Sequence, residues 1–378
     1  MARYIWQHPD WTTRLHWDCE RLIDALSSVR RRQGEIFGKA AGLGFDLELD
    51  SRASILVDEA VTTAAIEGER LDRDSVRSSV ARRLGLPDAG LPSPSRETDG
   101  LVQVLVDVSH GHAKPLTEER LFGWHAALFP TGRSGIDPIT VGDWRRGDEP
   151  MRVVSGPVGR ERTHFEAPPS ADVPGEMARF LEWFDSPGKP LDGVLRAALA
   201  HFRFVTVHPF DDGNGRLARA ISDLALARDE ESTLRLYSMS NRILAEQQTY
   251  YSILERTQKG GGDLTEWFLW FCACLEHAID ASEDLMDLVF AKSKFWRRHG
   301  GADLTARQRK VVGRMLEAGP GGFEGGLTNR KYVSLAKTSR ATAQREIADL
   351  VAKGLLTRRP GAGRSTSYDI VWEDSSEH

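Results

Sequence analysis

A mainly α-helical protein with one short β-hairpin, followed by a small α+β module, is what this 378-residue sequence predicts. Three observations carry that reading. Apolar residues recur at helical spacing on both sides of residues 208–219. Two short extended runs flank Gly156 to Gly159 and read as a hairpin. From Ala302 onward both the charge balance and the order of elements change. The length suits two or three domains. The expected division is a helical N-terminal module at 1–95, a helical core at 96–300 and a C-terminal module at 301–373.

The N-terminal module opens on aromatic residues, Tyr4 to Trp11 and then Trp17, which serve best as anchors onto the helical core. A helical run follows from Asp18 to Lys39. A second contains Ile55, Val57, Ala60, Val61 and Ala64 and ends at Glu67-Gly68, where glycine suits a helix C-terminus. The hairpin is assigned to Met151–Gly156 and Thr163–Phe165. Leu195, Ala198, Leu199, Phe202 and Val205 then form a helix running toward His208. Pro209 disfavours helical geometry in the residue before it, so the helix should stop there. Leu217, Ala220, Ile221, Leu224 and Ala225 begin another. Residues 211–215 are therefore a tight loop feeding a helix N-terminus. Tyr250-Tyr251 lies in a further helical stretch, and Trp267, Phe268, Trp270, Phe271 and Leu275 belong to the core.

Composition narrows the function classes. The net charge of −5 carries no global nucleic-acid signature. No stretch of 18 apolar residues exists and the first ten residues are polar and aromatic, so neither a membrane span nor a signal peptide is expected. Cys19, Cys272 and Cys274 have no metal-ligand spacing and read as reduced thiols, which points to the cytoplasm.

The chemistry concentrates in His208-Pro209-Phe210-Asp211-Asp212-Gly213-Asn214-Gly215-Arg216-Leu217-Ala218-Arg219. A helix N-terminus presents unpaired N–H groups and a partial positive charge, which suits an anion. Gly213 and Gly215 let backbone approach phosphate oxygens closely. Arg216 and Arg219, three apart, reach one side of the helix, and guanidinium forks match phosphate oxygens in pairs. Asp212 is a hard oxygen ligand suited to Mg²⁺, and His208 is a candidate base. Together these parts suit a metal-bound polyphosphate attacked by a deprotonating nucleophile.

The string resembles the Fic family signature, His-Pro-Phe-x-(Asp/Glu)-Gly-Asn-Gly-Arg-x-x-Arg, at every fixed position. The resemblance implies a protein adenylyltransferase that moves AMP from ATP to a hydroxyl side chain of a protein target. It implies that His208 is the base, that Asp212 holds Mg²⁺, and that Asn214 with the Gly213 and Gly215 backbone receives the α- and β-phosphates. Arg216 and Arg219 would bind the β- and γ-phosphates. Thr63-Ala64-Ala65-Ile66-Glu67-Gly68 is similar to the family's inhibitory motif, in which the glutamate, here Glu67, pairs with the second arginine, here Arg219. The resemblance further assigns Val153, Val154 and Ser155 to a flap that docks the target backbone. It places Tyr250 and Tyr251 at the adenine, with Gln258 where relatives more often carry Asn.

The segment Ala302–Trp372 holds 13 Lys/Arg against 6 Asp/Glu. Its order is similar to a winged helix-turn-helix: helices at Arg307–Leu316, Thr328–Leu335 and Arg340–Lys353 (Ser339 as N-cap), then strands Leu355–Thr357 and Ser367–Ile370 around Gly361–Arg364. Arg340, Thr342, Gln344 and Arg345 are the residues such a module would turn toward DNA, with Arg358, Arg359 and Arg364 on the wing. A protein-interaction or dimerisation role is equally compatible. Three functions stay open at this point: AMP transfer, AMP removal with Glu67 orienting water, and a nucleotide-sensing DNA-binding regulator. Self-modification, a homodimer, the target and the nucleotide are also open.

Overall fold

The computed structural model describes residues 3–41, 45–86, 91–155, 160, 162–186, 191–233, 236–360 and 366–372. Packing divides the chain into two units, 1–282 and 283–378.

The first unit begins with α1 (Cys19–Ala41), α2 (Phe45–Ile66), α3 (Arg73–Leu84), α4 (Arg96–His110) and α5 (Glu118–Leu128). Side-chain oxygens cap several of these helices. Asp72 accepts from the Ser75 N–H, Ser95 from Thr98 and Thr117 from Arg120, relieving donors that a helix start leaves unpaired. Two small antiparallel pairs follow, β1 (Arg133–Ser134) with β2 (Asp137–Pro138), and β3 (Arg152–Ser155) with β4 (Arg162–Glu166). The expected hairpin is present with its register shifted by a bulge between Val153 and Val154; its turn, Gly156 to Gly159, lies outside the described residues. The first pair went unforeseen, since two-residue strands leave no alternation to read.

Helices α6 (Val173–Asp185), α7 (Gly193–Val207), α8 (Asn214–Asp229), α9 (Met239–Ala245), α10 (Gln247–Gln258) and α11 (Thr265–His299) complete the helical set of this part, and the division between units falls within α11. Helix α7 is buried along nearly its whole length and packs along α8. Phe202, Phe204, Phe210, Leu217, Ile221, Leu224, Trp267 and Phe268 are all fully buried. This core holds both ends of the 208–214 loop rigidly. As expected, α7 stops before His208, which caps it with φ 53°, and its N–H donates to the Phe204 carbonyl at 2.9 Å. Left-handed backbone is uncommon for a non-glycine residue, so the surrounding packing must hold it.

Helix α2 is pinned by a buried carboxylate. Glu59 accepts hydrogen bonds from the Ser238 hydroxyl at 2.7 Å and from the Ser240 hydroxyl and N–H at the start of α9. Gln247 Nε2 donates to the Ile66 carbonyl at 2.7 Å, fixing the last turn of α2.

The second unit contains α12 (Ala306–Glu317), β5 (Leu327–Thr328), α13 (Asn329–Ala336), α14 (Arg340–Ala352), β6 (Leu356–Arg358) and β7 (Ser367–Ile370). The three strands form an antiparallel sheet in the order β5-β7-β6. Val311, Val312, Leu327, Tyr332, Ile347, Leu350 and Leu355 make its core. Ser339 caps α14 as expected, accepting from the Thr342 N–H at 3.2 Å. Residues 361–365, including the expected wing residue Arg364, lie outside the described residues. Among the described residues no helix is long and apolar enough to cross a membrane.

Glu59→Ala would strand the Ser238 and Ser240 donors in a buried site and is expected to cost about 1–3 kcal/mol. The measurement is the urea midpoint of the full chain, which should fall; an unmoved midpoint contradicts the pinning role.

Candidate active site

Helix α8 begins at Asn214, and its first backbone bond runs from the Leu217 N–H to the Gly213 carbonyl at 3.0 Å. The N–H groups of Asn214, Gly215 and Arg216 are thus the free donors of a helix start. Gly213 has φ 81°, and a Cβ there would lie 2.8 Å from the Phe129 ring, so only glycine fits. The Asn214 side chain closes the loop on itself. Its Oδ1 accepts from the Phe210 N–H at 3.0 Å, and its Nδ2 donates to the Phe210 carbonyl at 2.8 Å. Both ends of this amide hold the loop, so the donors left to face an anion would be backbone groups.

His208 is half-buried at the loop entrance. Its Nδ1 lies 3.3 Å from the Val205 carbonyl, an acceptor only, so Nδ1 carries the proton and Nε2 keeps its lone pair. Burial, with Arg145 adding to it, holds His208 at about 4 against an ordinary 6.5. The ring is neutral near pH 7, as a base must be.

Residues distant in sequence hold the cradle. Arg145 Nε donates to the His208 carbonyl at 2.7 Å, and the Arg145 N–H donates to the Pro209 carbonyl at 2.9 Å. His125 stacks on Phe210 with centroids 4.2 Å apart. Its Nδ1 accepts from the Gly142 N–H at 3.3 Å, and Nε2 lies 3.1 Å from the Asp212 carbonyl. That pattern fixes one neutral tautomer, and burial pushes the ring down to about 4. The Asp211 carboxylate accepts from the Thr140 N–H at 2.8 Å. Asp212 accepts from the Ser134 hydroxyl and from the Gly213 N–H at 2.6 Å.

Among the described residues no group of three or more His, Cys, Asp or Glu side chains is arranged to hold a metal. Asp212 offers one carboxylate beside the anion donors. Mg²⁺ ordinarily takes one or two carboxylates and completes its shell with phosphates and water, so this donor set fits it.

The two arginines of α8 are already engaged. Arg219, 4 % exposed, donates from Nη2 to Glu67 Oε1 at 2.8 Å and from Nε to the Thr63 hydroxyl at 2.8 Å. Burial works against its charge, yet Glu67 holds it above its ordinary range. The Glu67 carboxylate also presses on the cradle: a Cβ on Gly215 would lie 2.4 Å from Oε1. Arg216 Nη1 pairs with Glu69 Oε1 at 3.1 Å, its guanidinium lies 4.8 Å from the Phe129 ring centre, and its buried Nε has no partner.

The tyrosine pair divides. Tyr250 is buried, its hydroxyl 2.8 Å from His201 Nε2, and burial raises its pKa. Tyr251 is 45 % exposed. Gln258 is buried and donates to the Thr206 hydroxyl at 3.3 Å. On the hairpin, Val153 and Val154 are exposed, and β3 pairs with β4 alone among the described residues.

Sequence reasoning missed Glu69, His125, Ser134, Arg145 and His201. Glu69 had a readable signal: acids two apart after α2 facing arginines three apart on α8. The others come from 7 to 87 residues away and carry no local pattern.

Residues 115–226 match the Fic/DOC family model, and residues 4–86 match a domain of unknown function, DUF4172. Uridine 5'-monophosphate transferase of Xanthomonas campestris pv. campestris (strain 8004) is 33 % identical over 121 residues, 30 % of this chain and 21 % of that protein. Protein adenylyltransferase Fic of Drosophila willistoni is 31 % identical over 271 residues, 69 % of this chain and 49 % of that protein. The chain thus spans about half or less of the length of the curated relatives it matches. A Fic family protein from Desulfovibrio desulfuricans G20 has a similar fold, with a TM-score of 0.52 at 18 % identity over 95 % of this chain and 97 % of that one. Residues 134–508 of Fic-1 from C. elegans give 0.51 at 20 % identity over 70 % and 73 %.

Burial places His125, His201 and His208 at about 4, 3 and 4, below their ordinary 6.5. The unfolded chain therefore takes up protons first as pH falls. Stability from neutral burial is complete above about pH 6.5 and declines as pH drops toward 4, by about 1 kcal/mol or more per imidazole. Urea midpoints measured between pH 7.5 and 4.5 should fall, and less steeply in His201→Gln; identical slopes would refute the assignment.

Proposed function

This chain is a Fic family protein, and we propose that it transfers AMP from ATP to a hydroxyl side chain of a protein and rests in a self-inhibited state. The observation that carries the second part is the Glu67 carboxylate, which pairs with Arg219 and lies against Gly215 at the start of α8. Phosphate oxygens would need the same guanidinium and the same backbone donors. A carboxylate there puts negative charge where the γ-phosphate belongs, so ATP binds with its α-phosphate out of line for attack. Glu69 on Arg216 adds a second carboxylate at the other arginine.

With Glu67 displaced, the free N–H groups of α8 and the two guanidinium groups receive the triphosphate. His208 Nε2 takes the proton of the acceptor hydroxyl as its oxygen bonds to the α-phosphorus. The bond to the β-phosphate oxygen breaks, and pyrophosphate leaves. Asp212 would hold Mg²⁺, which supplies charge neutralisation for the phosphates. The exposed edge of β3, with Val153 and Val154, suits strand addition by an extended target segment. Ser155 continues that strand. Tyr251 is the member of its pair left accessible for the base, and Tyr250 supports it from the core through His201.

The name of the Xanthomonas relative raises transfer of UMP as an alternative for the same cradle, since nothing in the phosphate donors reads the base. AMP removal is the second reading of the reaction. It is favoured by the partly water-accessible Glu67 carboxylate, at 29 % exposure, beside the cradle. The second unit we read as a winged helix-turn-helix. Arg340, Gln344 and Arg345 are exposed on α14, alongside partly buried Thr342, and suit a DNA or protein partner.

Two variants test the reading, with α-labelled ATP and, in parallel, α-labelled UTP, Mg²⁺ and a cell lysate. Glu67→Gly should raise protein labelling on the order of ten- to a hundredfold. In that background His208→Ala should lower it on the order of a hundredfold or more. Equal labelling by wild type and Glu67→Gly removes the occlusion model, and labelling that survives in His208→Ala removes the base.

A further inference from the structure

Away from the cradle, a pocket of about 460 Å³ opens where the segment around Leu15 and Trp17 meets α6 and α7. That volume lies in the range of small-molecule sites. Leu15, Trp17, Trp183 and Leu199 supply apolar and aromatic wall, and Arg203 lines it. The wall is held in place independently of any occupant. The His16 N–H donates to the Gly262 carbonyl at 2.9 Å, and the Leu264 N–H to the His16 carbonyl at 2.8 Å. Trp17 packs edge-on against Phe268 with centroids 5.2 Å apart.

Arg203 is the unusual member. It is 6 % exposed, and its Nε is buried without a hydrogen-bond partner. Its guanidinium lies 4.4 Å from the Trp183 ring centre and 5.6 Å from that of Phe180. The carboxylate that acts on it, Glu176, is taken: Oε1 accepts from Arg179, and Oε2 accepts from Trp11 Nε1 at 3.2 Å. Burial accordingly pulls Arg203 down to about 10, with Glu176 opposing. Ring stacking alone leaves the planar N–H donors of a buried guanidinium unmet, and burying a charge is costly until it is paired.

We propose that this pocket binds a small organic monoanion, a planar apolar body carrying one carboxylate, with the carboxylate on Arg203 and the ring against Trp17 and Trp183. A guanidinium fork matches a carboxylate with two parallel hydrogen bonds. Exposed Arg179 and Glu182 also line the pocket; Arg179 is paired with Glu176, so Arg203 is the cation left to match an anion, and Glu182 opposes a second negative charge. Thr12 and Ser186 belong to the same lining and suit secondary contacts. The site is separate from the proposed transfer chemistry, yet α7 carries both Arg203 and, at its end, His208.

The test is titration calorimetry on the full chain with 2-naphthoate, 2-naphthamide, 2-naphthyl phosphate and AMP. Naphthoate should bind at least about tenfold tighter than the amide and tighter than the aryl phosphate. Arg203→Met should weaken naphthoate about tenfold, the loss of one charge-assisted pair. Arg203→Lys should keep part of the affinity. Thr12→Trp, which adds bulk to the lining and leaves Arg203 intact, should abolish binding. Naphthoate affinity should be unchanged by saturating AMP and by Arg219→Ala, which separates this site from the catalytic reading. The proposal is overturned by equal affinity for acid and amide, by tighter binding of the phosphate, or by naphthoate affinity that persists in both Arg203→Met and Thr12→Trp.

Discussion

A guanidinium with almost no access to water has to be matched, and the pairing of Arg219 is the constraint around which the candidate site is organised. The last turn of α2 and the residue after it supply the match, through the Thr63 hydroxyl and carbonyl and the Glu67 carboxylate. That turn is in turn held by Gln247 on its terminal carbonyl and, two turns earlier, by Glu59 on the serines of α9. Removing the glutamate from Arg219 therefore does not loosen α2, because its anchoring lies elsewhere.

The same logic explains how the loop from His208 to Asn214 stays shaped without a ligand. Buried polar groups must be satisfied, and here nearly all the satisfaction is internal. Asn214 closes a ring with Phe210, Arg145 takes up two successive carbonyl regions, and His125 and Ser134 hold Asp212 from opposite chemical sides. What remains unpaired is the row of N–H donors at the helix start. Those donors are held in place by the loop itself, and the group that lies against them is the Glu67 carboxylate.

Much of this was legible in the chain. The helix stop before Pro209, the glycine at 213 and the arginine spacing all follow from local rules, and those are short-range facts. The Glu67–Arg219 pair was readable only through a family resemblance, because no local pattern links residues 152 positions apart. The supporting side chains were illegible for the same reason: His125 and Arg145 look like ordinary helix and loop residues until the fold brings them under the cradle. Tyr250 and Tyr251 show the limit of pattern from the other side. Adjacent in sequence, they face opposite environments on α10, and periodicity alone does not say which one meets solvent. Short strands such as β1 and β5 escaped notice because two residues carry no period.

The backbone of His208 has a consequence for how this family of sites can drift. Its φ of 53° belongs to a region that glycine and asparagine occupy readily and β-branched residues scarcely at all. Imidazole chemistry and helix-terminating shape are thus fused in one position. Valine or isoleucine at 208 would strain this backbone, whereas asparagine would keep its outline while removing the imidazole.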